Sequence, residues 1–252
     1  MTGAAACFLD ALAFLTRIGP ARVREASSLA RAAPFFAPVG LALGLLCAAA
    51  AGLALALAPA PPRGGGLLPP ALSALLWLGL EIWLTRGLHW DGLADLADAA
   101  GSPAPRFWEI LKDSRMGVFG ALALLLAFCG QWLALVWHLA AAQWAALIAA
   151  PAWARACALW LATSAPARDA RSLGGMVKAG ATFRTVGFSV AAILAALAAA
   201  GLPLSQLLVL SGGQYALTRA LTGIAREKGG FSGDFLGAAI VIGQTWFLLA
   251  LL

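Results

Sequence analysis

Charge is what this 252-residue chain has least of. Lys and Arg total 17 and Asp and Glu 11, so 11% of residues are charged, and the mean hydropathy is +0.88. A soluble domain carries about 25% charge, so a soluble globular fold is excluded and an all-α integral membrane protein is expected. Only two histidines are present, which leaves no His-rich zinc site. Cys7, Cys47, Cys129 and Cys157 are scattered through apolar sequence without a C-x-x-C, and they read as small buried hydrophobes. No Walker A loop and no G-x-G-x-x-G occurs, which excludes an ATP-driven motor. The segment before Arg17 lacks a charged n-region and a cleavage site, so it is not a secretory signal. It is short, contains Asp10 and reads as an interfacial or re-entrant piece.

Long intervals carry no charge at all: 32–62, 116–154, 185–218 and 235–252. At about 20 residues per span, these and the stretch 64–80 predict about seven transmembrane helices in a single polytopic domain, 1–252. The spans are near 33–60, 67–86, 116–137, 140–162, 185–201, 203–220 and 235–252. Many are rich in alanine and glycine, which allow close helix packing in lipid. The cations fall into four groups: Arg17, Arg22, Arg24 and Arg31; Arg86, Arg106, Lys112 and Arg115; Arg168, Arg171, Lys178 and Arg184; Arg219, Arg226 and Lys228. Seven spans put all four groups on one side, with Arg63 on the other and Arg155 inside a span. The positive-inside rule then makes the charged loops cytoplasmic. Topology and anionic membrane lipid account for the net charge of +6, and no nucleic-acid partner is implied.

Against this background the stretch Leu84–Ala99, L-T-R-G-L-H-W-D-G-L-A-D-L-A-D-A, stands out. Asp91, Asp95 and Asp98 are spaced i, i+4, i+7 and lie within about 40° of one another on a helix. Two carboxylates about 6 Å apart repel by roughly 3 kcal/mol at an effective dielectric near 20. A solvated helix face would interleave Lys or Arg, and none occurs between Arg86 and Arg106. A divalent cation with hard oxygen ligands is therefore expected there. Glu81, inside an apolar span, is a further candidate ligand. His89 is a ligand, a general base or a packed residue, and Trp90 reads as an interface anchor.

A second cluster, Lys112-Asp113-Ser114-Arg115-Met116-Gly117-Val118-Phe119-Gly120, precedes a span. Its cations, hydroxyl and glycines suit a phosphate at a helix N-terminus, or an ordinary positive anchor with Ser114 as N-cap. The third, Arg168 to Gly175, is explained by topology. The fourth, Arg226 to Ala238, holds Gly229, Gly230 and Asp234, and Arg219 and Arg226 share a helix face. Its glycine turn is placed to offer backbone N–H groups to an anion. Carboxylates for metal and cations for phosphate on one membrane face are the equipment of phosphoryl or nucleotidyl transfer.

The motifs H-W-D-G-L-A-D-L-A-D (89–98), K-D-S-R-M-G-V-F-G (112–120) and G-G-F-S-G-D-F-L-G-A (229–238) resemble the cobalamin synthase family, the adenosylcobinamide-GDP ribazoletransferases. F-L-T-R-I-G-P (14–20) and P-F-F-A-P-V-G (34–40) look like that family too, so the resemblance spans nearly the whole chain. It implies a late step of vitamin B12 assembly in the bacterial inner membrane, with Mg²⁺ as cofactor. The 3′-hydroxyl of α-ribazole, or of its 5′-phosphate, attacks the cobinamide-side phosphorus of adenosylcobinamide-GDP, and GMP leaves. His89, Asp91, Asp95 and Asp98 are then the candidate catalytic residues, with Glu81 and the same aspartates as metal ligands. Lys112, Asp113, Ser114, Arg115, Arg219, Arg226, Gly229, Gly230 and Asp234 are the candidate substrate-binding residues. Where the family usually has Gly after the last aspartate, this chain has Ala99, and Val241–Gln244 stand where an acid is common. A CDP-alcohol phosphotransferase needs D-G-x-x-A-R, and here L-A-D-L-A-D follows Asp91-Gly92. A cation-coupled transporter is the reading from another class, and a homo-oligomer is left open.

Overall fold

The computed structural model describes residues 3–19, 26–58 and 66–252. Arg22, Arg24 and Arg63, used in the topology argument, lie outside the described residues, as does 59–65 of the Pro-rich turn. The helices are α1 Ala4–Leu15, α2 Ala26–Ala32, α3 Phe36–Leu57, α4 Leu68–Leu84, α5 Leu88–Ala99, α6 Ala104–Ile110, α7 Val118–Ala140, α8 Trp144–Ser164, α9 Leu173–Gly180, α10 Phe183–Ala199, α11 Leu204–Glu227 and α12 Gly233–Ala250. Among the described residues no sheet forms. Ala167 and Phe231 make one isolated parallel bridge.

Each expected span falls on one helix. The α2–α3 run Ser28–Leu57, α7, α8 and α12 are long and apolar enough to cross a membrane alone. Two further spans qualify only as bent pairs, α4 with α5 at 87° and α9 with α10 at 78°, giving up to six. The seventh expected span, α11, has 24 residues, but Gln206, Ser211, Gln214 and Thr218 make it too polar to count by composition. The protein is thus an all-α, multi-pass membrane protein.

α8 forms the centre, with residues 149–159 all buried. Hydrophobicity cannot drive helix association inside lipid, so close approach of small residues does the work. A Cβ on Gly40 or Gly44 of α3 would collide with the carbonyls of Pro151 and Ile148 on α8. Gly213 of α11 likewise accepts the ring of Trp246 on α12.

The bend between α4 and α5 places the candidate site. Arg86 and Gly87 both adopt left-handed backbone, φ 62° and 67°, which ends α4 and turns the chain. Non-glycine residues rarely take that conformation, and here the end of α1 supports it. The Arg86 guanidinium donates to the carbonyls of Ala13 and Thr16, and Arg17 lies 4.5 Å over the Trp83 ring. α5 then turns away from the direction of α4 and runs across the N-terminal ends of α7 and α12.

Candidate active site

α5 buries His89, Gly92, Leu93, Ala94, Leu96 and Ala99 and leaves Asp91 exposed and Asp95 and Asp98 half-buried. The start of α12 lies against this helix at Gly92, where an added Cβ would sit 2.7 Å from the Asp234 carbonyl oxygen. Gly237 approaches the same turn of α5. This glycine contact brings Asp234 to the acidic face. Burial, then the like charges of Asp91, Asp234 and Asp98, push the Asp95 carboxyl up to about 6. Asp234 accepts one hydrogen bond from Ser232 Oγ at 2.8 Å. No ion pair among the described residues involves Asp91, Asp95 or Asp234. Gly92→Ala is therefore expected to overpack the α5–α12 contact at a cost of about 1–3 kcal/mol. It should lower both the melting temperature and activity; an unchanged pair of values would separate the contact from the site.

Asp98 has a different task from its neighbours. Its two carboxylate oxygens accept the backbone N–H groups of Gly117 (2.7 Å) and Gly120 (2.8 Å), the opening amides of α7. A side chain at either glycine would strike the carboxylate. The helix N-terminus that the sequence offers to a phosphate thus takes an internal anion, and the glycines serve its approach. Asp98→Ala is expected to destabilise the start of α7 by about 0.5–2 kcal/mol. Hydrogen exchange at residues 118–121 should rise while the rest of α7 stays protected.

Glu81 does not join the aspartates. It forms a buried ion pair with Arg155 Nη1 at 2.7 Å, and its second oxygen accepts from Gln244 Nε2 at 2.6 Å. Gln244 also donates to Gln131 Oε1 at 3.0 Å, so α4, α7, α8 and α12 meet in one polar network. Both oxygens of Glu81 are engaged in this network, and the structure does not bring it to the acidic face of α5. His89 is 5% exposed, and burial holds its imidazole well below the usual range, so it is neutral. Its Nε2 has no protein partner.

The cations divide. Arg115 forks onto Asp113 (2.7–3.2 Å) and holds that carboxyl down at about 2, while Lys112 and Ser114 are exposed beside them. Arg219 and Arg226 line a separate cleft of 350 Å³ with Trp160, Phe183 and Tyr215, and no aspartate lines it. Arg226 donates to the Ser164 carbonyl at 3.0 Å. Gly229 and Gly230, expected to cradle an anion, instead close the end of α11. Their N–H groups donate to the carbonyls of Arg226 and Ala225, at φ 82° and 131°.

Some contributing residues are not readable from spacing. Trp108 donates from Nε1 to the Lys228 carbonyl at 2.9 Å, and Arg168 lies 3.6 Å over its ring. These contacts tie segments 100–117, 164–172 and 228–233 together at one end of the bundle. The Glu81–Arg155 pair did have a signal, since these are two charges inside apolar spans and each makes the other cheaper to bury.

The donors present can be tested against a divalent ion. No three His, Cys, Asp or Glu side chains among the described residues are grouped to hold a metal alone. Mg²⁺ seldom needs such a cage, because it keeps waters and takes one or two carboxylates plus phosphate oxygens. Asp91 and Asp234 both act on the Asp95 carboxyl, and one or two such carboxylates with substrate phosphate oxygens are a donor set that would suit such an ion.

Comparison with known proteins adds the following. A family model described as cobalamin-5-phosphate synthase matches residues 7–252. A relative from Nitratidesulfovibrio vulgaris (strain DP4) is 39% identical over 245 residues, covering 96% of this chain and 95% of its own length. One from Deinococcus radiodurans is 35% identical, covering 93% and 81%. One from Brevibacillus brevis is 34% identical, covering 97% and 96%. All three are named adenosylcobinamide-GDP ribazoletransferase. No solved structure matches the chain.

Proposed function

The chain belongs to the cobalamin-5-phosphate synthase family, and on that premise we propose that it joins adenosylcobinamide-GDP to α-ribazole, or its 5′-phosphate, at the acidic face of α5. One observation supports the placement: the Gly92 contact brings the start of α12 against α5, where the charges of Asp91 and Asp234 both act on Asp95, and none of the three is in an ion pair among the described residues. In the reaction a ribose hydroxyl oxygen bonds to the cobinamide-side phosphorus, the bond from that phosphorus to the GMP oxygen breaks, and GMP departs. The hydroxyl proton leaves to a neighbouring base.

Asp91 and Asp95 would hold Mg²⁺, with Asp234 completing the negative field. When bound, the ion neutralises the pyrophosphate oxygens as charge develops on the leaving group. Asp98 positions the assembly by fixing α5 onto α7. Lys112, exposed on the segment that follows α6, would meet the guanosine-bearing phosphates directly, and Arg115 would do so by exchanging its fork on Asp113 for phosphate oxygens. The cation-rich ends of the helices support a cytoplasmic placement of this face in the bacterial inner membrane.

The reading is tested with the purified chain in phospholipid vesicles. Adenosylcobinamide-GDP, α-ribazole and Mg²⁺ should yield cobalamin and GMP in equal amounts. GMP release without α-ribazole, or no release with both substrates, would contradict it.

A further inference from the structure

α3 and α10 both pack on α8 and leave between them a groove of 620 Å³, to which α5, α7 and α12 contribute nothing. Ala149 and Ala152 of α8 form its floor, and their small side chains give it depth. The α3 wall, from Pro34 to Leu41, is wholly apolar. The α10 wall is graded. Arg184 and Thr185 open it at the cation-rich end of the bundle, Ser189 follows about 7.5 Å deeper, and Ala192 to Ala196 continue it as hydrocarbon to about 10 Å beyond Ser189. Arg184 is exposed and has neither an ion pair nor a hydrogen bond among the described residues. Arg31, likewise exposed and without an ion pair there, shortly precedes Pro34, where the end of α2 meets Gly180 at the close of α9. Ser189 is 7% exposed, and its hydroxyl keeps some accessible surface yet makes no hydrogen bond among the described residues.

A cation, then a hydroxyl, then hydrocarbon, in that order along one helix face, is the polarity sequence of a glycerophospholipid from phosphate to ester to acyl chain. Basic pockets between membrane helices take anionic headgroups. A zwitterionic lipid would bring its own cation against Arg184, and a free phosphate would leave the apolar length uncovered. We propose that the groove binds one anionic glycerophospholipid. Its phosphate sits on Arg184 with Arg31 nearby, and an ester carbonyl accepts from the Ser189 hydroxyl. One acyl chain lies on Ala149 and Ala152 between the two walls. The lipid thereby ties α10 to α3, two helices that are otherwise joined chiefly through α8.

Native mass spectrometry of the full chain in detergent, titrated with phosphatidylglycerol or phosphatidylcholine of the same acyl chains, counts the bound lipids. One phosphatidylglycerol per chain should bind about tenfold more tightly than phosphatidylcholine. Arg184→Gln should erase that preference, whereas Arg171→Gln, which removes an exposed cation outside the groove, should keep it. Ala192→Trp fills the apolar length and should weaken binding of both lipids. Ether-linked phosphatidylglycerol, which lacks the ester carbonyl, supplies a readout that does not depend on Ala192→Trp folding. The wild type should bind it about fivefold more weakly than the ester-linked lipid, and Ser189→Ala should not distinguish the two. A preference that survives in Arg184→Gln, or that is lost equally in Arg171→Gln, overturns the site. Displacement of the lipid by glycerol phosphate at equal concentration also overturns it, by reducing the groove to a bare phosphate site. So does a dimer that Ala192→Trp breaks, which would assign the groove to a second copy of the chain.

Discussion

Asp95→Asn is expected to reduce GMP release a thousandfold or more while the protein inserts and melts like the wild type. Asn keeps the size of Asp and loses its charge, so the loss is electrostatic and not steric. Roughly 4 kcal/mol of transition-state stabilisation corresponds to that factor. Asp95 is the carboxylate most loaded by neighbours, with Asp91, Asp234 and Asp98 all raising the cost of its charge. Removing the charge should therefore leave folding stability unchanged or slightly higher while catalysis fails. Asp91→Asn should behave alike. Asp98→Asn should lose less, because one amide oxygen still caps α7. Turnover and thermal unfolding measured on the same reconstituted samples decide this. Asp95→Asn retaining most of its turnover would remove the acidic face from the chemistry.

Glu81→Ala is expected to have the largest effect on stability, about 3–5 kcal/mol, because it strands a buried charge. Arg155 is fully buried, and its Nε and Nη2 have no partner even with Glu81 in place. Loss of Glu81 leaves Nη1 only the Pro151 carbonyl at 3.3 Å and the Gln244 amide oxygen at 3.4 Å. The pair of changes Glu81→Leu with Arg155→Met should recover most of the loss, since both charges then go together. Thermal unfolding in one detergent compares the three proteins. An unchanged melting temperature in Glu81→Ala would mean that the ion pair contributes nothing and would return Glu81 to the list of candidate ligands.

The spans were legible because an apolar run has few alternatives once backbone groups must be satisfied inside lipid. α3, α7 and α12 could be placed from charge-free intervals alone, and α8 from the end of the interval 116–154 carried past the single charge of Arg155. The bend after α4 was not legible. It depends on Arg86 adopting a left-handed conformation, and the carbonyls that hold it come from α1, some seventy positions earlier. Likewise α9 carries two glycines in its first turn, a weak helix signal, yet Gly174 and Gly175 are buried against Phe231 and Asp169. Within the site, the i, i+4 spacing did place Asp91 and Asp95 on one face. The third aspartate of the same pattern went elsewhere, because α7 offered unsatisfied amides nearby. Its place on the acidic face is taken by Asp234, which only the Gly92–α12 contact brings near. Spacing reports what one helix can present, but not which neighbour will claim each group.

The account is tested most directly by the binding of Mn²⁺, as a spectroscopic substitute for Mg²⁺, to the reconstituted chain. Its electron paramagnetic resonance signal would be followed with and without adenosylcobinamide-GDP. Carboxylates completed by substrate phosphates predict one tight Mn²⁺ per chain only when that substrate is present. The tight site should be lost in Asp95→Asn and kept when Glu81 and Arg155 are replaced together. Tight binding that persists in Asp95→Asn, or that needs Glu81, would contradict it.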